Sequence, residues 1–533
     1  MILLVQNSLE YETDLRAMIG AFFPATKIVS ASPDEVAGFD KNRHNEFQFV
    51  FTALYEGNNT RLRIEEKGHV LYSAYAYGDF TDRKRYRNKL KLASYRILSE
   101  YTGRVLPWGS LTGMRPTKIA TSALEKGKNR TDIIDYYQNT YDTSHEKAGL
   151  ATTVAIKEQS ILRTFNPIRD YCLYIGIPFC PTRCLYCSFA AYPIFEYKTK
   201  VKDYINALKQ ELPYISFLNR HRHLVAIYIG GGTPTSLSEK DLEALLKCVE
   251  DTFDLTYLRE YTIEAGRPDS VTVEKLEIMK RYGCTRISIN PQTMNASTLR
   301  TIGRGHTPAD IKWAFNEARK AGFKNINMDL IAGLPNESLE DMEYTLSEIR
   351  KMNPESVTVH SLAIKRAAEL NQQYDSFRET INHDMDKMIS LASVTLADMK
   401  LKPYYLYRQK NIAGNLENTG YAKEGKECLY NVLIMEEKLD TFAAGAGGIT
   451  RLISVKPRSG DEIDDMSYEL RVDSDDNVVE KEPVNVMDLT AADFDVTRVD
   501  RVENVKNIDD YIDRVDEMLE RKNAGVEARN FDI

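Results

Sequence analysis

Between about residues 166 and 400, short runs rich in β-branched and aromatic residues alternate with longer amphipathic stretches. The runs are Tyr171 to Ile177, Leu224 to Ile229, Glu260 to Glu264, Thr285 to Ile289, Asn325 to Ile331 and Ser356 to His360, each of strand length. Between them, apolar positions recur at the helical period, as in Val201, Tyr204, Ile205, Leu208, Leu212 and Ile215. Ser238 three residues before Asp241, and Thr307 before Pro308, read as helix starts. Strand and helix in strict alternation predict a parallel sheet, and six units predict a partial (β/α)6 barrel with its chemistry at the carboxyl ends of the strands.

The flanks read differently. Residues 1–165 mix strand-like runs (Gln48 to Tyr55) with helical ones (Lys89 to Tyr101) and predict an N-terminal α/β domain. Its loop Leu106-Pro-Trp-Gly-Ser-Leu-Thr-Gly-Met-Arg-Pro-Thr-Lys118 carries Trp108, Arg115 and Lys118, and reads either as a surface loop whose Trp packs down or as a cap over a site. Residues 401–533 predict a mixed, partly helical extension that covers the substrate. An acidic insertion is expected at about 456–497: residues 461–482 hold ten acidic and two basic side chains, too charged to pack, which predicts a solvated insertion or mobile loop. Ile508, Tyr511, Ile512, Val515, Met518 and Leu519 form one stripe and predict a single docking helix.

Composition narrows the function classes. With 533 residues, 43% of them hydrophobic, the chain builds full-sized cores. A net charge of −8 argues against a protein that wraps nucleic acid. The opening apolar run stops after five residues, too short for a signal peptide or a membrane span, so the expected location is cytoplasmic. Seven cysteines are too few and too unevenly spaced for a disulfide framework.

Three of those cysteines fall within eight residues, in Tyr174-Ile-Gly-Ile-Pro-Phe-Cys180-Pro-Thr-Arg-Cys184-Leu-Tyr-Cys187. Placed just after the first barrel strand, Cys180, Cys184 and Cys187 suit three irons of a [4Fe-4S] cluster and leave the fourth open to a small molecule. A tetrahedral zinc site with one distant ligand is the competing reading. Further polar residues follow at strand ends: Gly230-Gly-Gly-Thr-Pro-Thr235, Glu264-Ala-Gly-Arg-Pro-Asp269, Gln292, Arg304-Gly-His306 and Asp329. The glycine turn offers bare backbone to a ligand, and Glu264 can accept both hydroxyls of a ribose.

The C-x3-C-x2-C loop resembles that of radical S-adenosylmethionine (SAM) enzymes. In order and wording the motifs resemble the oxygen-independent coproporphyrinogen III oxidase (coproporphyrinogen dehydrogenase) family, and its HemZ-type branch in particular, through W-G-x-L-T-G-x-R-P-T-K, E-A-G-R-P-D and Y-Y-L-Y-R-Q-K-N. The resemblance implies a [4Fe-4S] cluster on catalytic Cys180, Cys184 and Cys187. It also implies SAM contacts by Tyr174, Tyr186, Gly231, Gly232, Thr233, Glu264, Gln292, Arg304 and Asp329. The implied substrate is a tetrapyrrole, coproporphyrinogen III, whose propionates lose CO2 to become vinyl groups, with a flavodoxin or ferredoxin as electron donor. Candidates to meet its carboxylates and macrocycle are Arg304, His306, His360, Lys365, Arg366, Tyr404, Tyr405, Tyr407, Arg408 and Lys410. Two positions depart from the oxidase pattern: Phe189 replaces a fourth cysteine and Gly176 replaces a histidine. Phe189 is shared with the haem-chaperone branch, so haem binding without turnover is the alternative, and radical methylation of haem a further one.

Overall fold

The computed structural model describes residues 1–24, 26–39, 46–187, 191–363, 384–409, 415–458, 470–472, 478–481 and 486–530. The N-terminal part is a five-stranded sheet in the order β2-β1-β3-β4-β5, built from β1 (Ile2–Gln6), β2 (Ile28–Ala31), β3 (Val50–Glu56), β4 (Asn59–Glu66) and β5 (His69–Tyr77). The period-two alternation of β4 puts Leu62 and Ile64 on one buried face. There they pack with Leu15 and Ile19 of α1 (Glu12–Phe22) and Leu90 and Leu98 of α2 (Arg83–Thr102). Three helices, α3 (Thr117–Leu124), α4 (Arg130–Tyr141) and α5 (His145–Leu162), lead on to the second sheet.

Among the described residues that sheet has eleven strands. Its centre is the six parallel strands expected from the sequence: β6 (Asp170–Ile177), β7 (His223–Gly231), β8 (Glu260–Glu264), β9 (Arg286–Ser288), β10 (Ile326–Ala332) and β11 (Ser356–Ser361). They are connected through helices that include α6 (Lys198–Leu218), α7 (Glu239–Thr252), α8 (Val273–Arg281), α9 (Pro308–Lys320) and α10 (Leu339–Met352). The anticipated helix starts are real. The Ser238 side chain accepts from Asp241 N, and Thr307 and Asp310 form a reciprocal capping box with Pro308 in the first turn.

The sheet does not stop near residue 400. Antiparallel β12 (Lys402–Arg408) and β13 (Glu417–Ala422) extend it beyond β11, while β14 (Asp440–Ala444) adds a seventh parallel strand beside β6. β15 (Ile449–Pro457) and β16 (Phe494–Glu503) continue that edge as a hairpin. A short helix, α12 (Leu429–Glu436), packs against α5, β7 and β12, and its Tyr430 ring lies 4.7 Å from Tyr228. The Glu260 carboxylate accepts from Leu429 N (2.7 Å) and Tyr430 N (3.2 Å) and so satisfies the start of this helix from the barrel floor. Helix α11 (Met385–Asp398) covers β10 and β11.

Three expectations need revising. Trp108 is no cap over the barrel mouth: it is fully buried and donates from Nε1 to Glu417 Oε2 (2.7 Å), pinning the N-terminal loop to β13. Lys147 takes the other oxygen, also at 2.7 Å. The tail is two helices, α13 (Ile508–Asp513) and α14 (Val515–Asn530), broken at Arg514. Within the acidic stretch, Leu470–Val472 and Val478–Lys481 pair as antiparallel strands; the rest of 459–485 lies outside the described residues.

The break in the tail lets both helices reach one buried carboxylate. Glu211 on α6 accepts from Tyr511 OH (2.5 Å), Gly445 N (2.8 Å), Asn504 Nδ2 (2.8 Å) and Lys522 Nζ (2.5 Å), with both ionic side chains fully buried. A buried ion pair stripped of one member leaves an uncompensated charge. Glu211→Ala is therefore expected to cost about 3–5 kcal/mol. It is read as a lower denaturant midpoint at unchanged m; a loss within 1 kcal/mol, on the order of an exposed pair, would show that this carboxylate does not hold the tail.

Candidate active site

Side chains at alternate strand positions point into the barrel. Tyr228 on β7, Glu264 at the end of β8, Arg286 and Ser288 on β9, Asn327 and Asp329 on β10, and Thr358 and His360 on β11 line one cavity of about 460 Å³. Cys180, Cys184 and Cys187 line it at the carboxyl end, and Tyr405 and Tyr407 of β12 complete it with Asn431 and Met435 of α12. The volume is that of a small-molecule site.

The thiol loop is lashed to the glycine turn. Gly232 N donates to Ile177 O (2.8 Å) and Thr233 N to Phe179 O (2.7 Å). A Cβ on Gly232 would stand 2.6 Å from Phe179 O, and Gly231 has a φ of +111°, so both positions require glycine. Thr233 Oγ1 lies 3.4 Å from Cys180 Sγ, and Cys187 N donates to Cys184 O (3.0 Å) in a tight turn. Among the described residues no three Cys, His, Asp or Glu side chains already form a metal cage. The donor set is nevertheless three thiols facing one cavity, which suits iron-sulfur ligation. Burial pushes the Cys180 thiol up to about 11, so metal uptake at neutral pH releases its proton.

The other expected site residues gather around this loop. Glu264 faces the Tyr228 hydroxyl, which donates at 2.5 Å. Arg304 donates to Tyr186 OH (2.9 Å) and to Gly266 O and Asn290 O (2.7 Å each), which ties the cysteine loop to the ends of β8 and β9. Gln292 has a φ of +67°, bridges to β10 through Asp329 O, and keeps a buried Oε1 without a partner. Asp329 sits 3.8 Å from His360 Nε2 and accepts from Asn327 Nδ2 at 2.7 Å. Tyr174 lies behind the cavity wall, stacked near Tyr228 and Tyr430.

Of the residues expected to meet substrate, His360, Tyr405, Tyr407 and Arg304 line the cavity. Tyr404 and Arg408 sit in the opposite pleat of β12, and His306 is buried against Asp269, 3.8 Å away, rather than lining the cavity. Arg408 lies over the Trp108 ring at 5.5 Å, part of the seam with the N-terminal loop. Lys365, Arg366, Lys410 and Phe189 lie outside the described residues. Sequence reasoning missed Arg286, only 2% exposed in the barrel interior, although an arginine inside the strand-like run Thr285 to Ile289 was a usable signal. Asn431 and Met435 carried no signal, because α12 has no motif of its own.

A family model described as the radical SAM superfamily matches residues 174–349. The oxygen-independent coproporphyrinogen-III oxidase-like protein HemZ of Bacillus subtilis (strain 168) is 37% identical over 382 residues, covering 70% of this chain and 76% of that protein. The heme chaperone HemW of the same strain is 32% identical over 291 residues, covering 53% of this chain and 73% of that protein. The oxygen-independent coproporphyrinogen III oxidase of Escherichia coli (strain K12) is 31% identical over 208 residues, covering 39% of this chain and 45% of that protein. Among the described residues no helix is long and apolar enough to cross a membrane. With three thiols at the mouth of a parallel barrel and a relative matched over three-quarters of its length, the chain belongs to the radical SAM superfamily, users of a [4Fe-4S] cluster and SAM, and within it to the HemZ-type coproporphyrinogen-III oxidase-like proteins.

Proposed function

We propose that this protein carries out the oxygen-independent oxidative decarboxylation of coproporphyrinogen III propionates to vinyl groups. The observation that carries the reading is the single cavity running from the three thiols to the wall formed by Tyr405, Tyr407 and the His360–Asp329 pair. Cys180, Cys184 and Cys187 hold the cluster, and Gly231, Gly232 and Thr233 present backbone to the methionyl end of SAM. Glu264 receives the ribose hydroxyls, while Arg304, Tyr186, Gln292, Tyr174 and Asp329 fix the surrounding walls. When bound, these cofactors would supply one electron and a carbon radical able to take a hydrogen atom from the propionate β-carbon; release of CO2 and transfer of one electron to an external one-electron acceptor would then leave the vinyl group. The chain's own share is to keep that event dry and aligned. Tyr405 and Tyr407, with ring centroids 6.0 Å apart and nearly parallel, give a flat apolar wall to the macrocycle. His360 and Arg286 offer donors to carboxylates. A flavodoxin or ferredoxin fits as reductant.

The 32% identity to a heme chaperone supports a second reading, stoichiometric haem binding without turnover. An anaerobic assay with dithionite, SAM and coproporphyrinogen III, run beside a titration of the protein with haem, separates the two. Formation of 5′-deoxyadenosine, CO2 and vinyl product is expected. Tight haem binding with no CO2 released would replace the oxidase reading with the chaperone one, and 5′-deoxyadenosine accompanied by a methylated tetrapyrrole would replace it with a methyltransferase.

The ligand assignment predicts that Cys184→Ala abolishes iron and sulfide uptake during anaerobic reconstitution. Cys284→Ala, which removes a buried thiol bonded to Tyr261 O, and Cys248→Ala should both retain it. Equal iron loss in all three would sink the assignment.

Glu264 generates a pH prediction. Burial, reinforced by Asp329, pushes its carboxyl up to about 7 in spite of the Tyr228 bond. The unfolded chain then ionises near pH 4.3 while the folded chain stays protonated, so this group's contribution to stability falls as pH rises from about 4.3 to about 7. Glu264→Gln should therefore make the ligand-free protein more stable at pH 8, with the gain vanishing below about pH 4. Denaturant midpoints of both proteins across that range check it; a gain independent of pH would show that the carboxyl's ionisation is not its source.

A further inference from the structure

Arg267 is 3% exposed, and its guanidinium stands at the thiol loop. Asp269 occupies one edge, accepting from Nε at 2.9 Å and Nη2 at 2.7 Å. The remaining corner, Nη1, donates to Thr182 O and Thr182 Oγ1 at 3.2 Å and to Cys184 Sγ at 3.5 Å. This is a full positive charge in a fixed orientation, held by a bidentate carboxylate clamp that sets its direction as well as its distance. The neighbours leave it little freedom: Gly305 stands against both side chains, and a Cβ there would come within 3.3 Å of Asp269 Oδ2. A structural role alone would be served by the Thr182 contacts. The contact to sulfur is extra.

Resting on the reading of Cys184 as a cluster ligand, we propose that the Arg267–Asp269 pair sets the reduction potential of the cluster. Reduction adds one electron, and hence one negative charge, to a centre that thiolates already make anionic. A cation donating a hydrogen bond to a ligand sulfur favours the more negative state and raises the potential. Asp269 works against it, but from the far edge of the guanidinium, and a Coulomb energy falls with distance. Arg267 therefore outweighs its partner. The consequence is a cluster that a one-electron donor such as a flavodoxin or ferredoxin fills more readily, with correspondingly less driving force left to spend on the sulfonium. Arg267 is a positioning residue in this scheme, acting through Cys184.

The test is an EPR-monitored titration of the anaerobically reconstituted full chain with dithionite and redox mediators, alongside iron and sulfide analysis. Arg267→Met is expected to lower the midpoint, with an electron-uptake constant at least about tenfold weaker, which is about 59 mV for a one-electron couple. Asp269→Asn leaves Arg267 in contact with Cys184 and is expected to raise it. Opposite signs are the signature, since a loop merely loosened by either change moves both variants the same way. If Arg267→Met binds less iron, the sign of the shift in Asp269→Asn decides the matter. Midpoints that stay put, or a fall in Asp269→Asn, with iron content intact, overturn the proposal and leave the cluster site standing. A wild-type chain that takes up no iron and sulfide overturns the site reading itself.

Discussion

Two backbone hydrogen bonds, from Gly232 N to Ile177 O and from Thr233 N to Phe179 O, are the constraint on which the site depends. They force the chain leaving β7 into contact with the chain leaving β6, the approach that a side chain at 232 would forbid. Backbone bonds of this kind are fixed by strand register, and after an irregularity between Tyr171 and Cys172 the β6–β7 register runs unbroken from Cys172 opposite Ala226 to Ile177 opposite Gly231. The thiol loop thus inherits its position from the hydrophobic core, where Leu173, Ile175, Ile177, Ile227 and Ile229 are all completely buried. A cluster held by these thiols would need no preformed cage: the loop is anchored at its base, and metal binding would supply the rest.

An open barrel must also seal its two edges. On one side β12 and β13 are held by Trp108 and Lys147, which together saturate the Glu417 carboxylate. On the other, β14 lies beside β6 and its glycine turn is fastened by Glu211 to α6 and to the tail. Both seals are buried charges, and buried pairs add little net stability because desolvation consumes most of the Coulomb gain. Their value lies in geometry. A leucine in place of Glu417 would bury apolar area yet leave the N-terminal loop free to dock in several ways, whereas a carboxylate with two fixed donors accepts one. The N-terminal domain is in this sense part of the wall behind Tyr405 and Tyr407, since Leu406 between them packs with Trp108.

The parallel core was legible because helical and strand periods are local properties, and all six strands fall within two residues of the runs read from the sequence. The cysteine loop and glycine turn were legible for a different reason, since thiol spacing and glycine runs carry chemistry that few other uses explain. What stayed hidden depends on long-range pairing. β14 reads as the lead-in to a glycine run, and only its partner β6 makes it a strand. The tail stripe continues through Arg514, but helical periodicity cannot register a break that lets Tyr511 and Lys522 converge on Glu211. Arg408 looked like a ligand for a substrate because basic residues among aromatic ones suggest recognition, yet the pleat of β12 sends Arg408 to the seam with Trp108 and Tyr407 to the cavity.

The cavity holds two carboxylates whose environments drive them apart, and the difference assigns them separate tasks. Burial raises Glu264, and Tyr228, Arg286 and the Gly231 backbone, which all pull the other way, do not reverse that. Burial also acts on Asp329, but His360, Asn327 and Thr358 outweigh it and hold the carboxyl below its ordinary value. Asp329 is therefore a permanent anion that orients His360, while Glu264 holds its proton near neutral pH until something offers it better donors. On the proposed reading, a ribose with two hydroxyls, arriving beside a sulfonium cation, would be such a partner, stabilising the ionised form and drawing the proton off as it binds. Nucleoside binding and deprotonation at the end of β8 would then be one event, and the energy that the ligand-free fold spends on keeping Glu264 neutral would be recovered when the site fills.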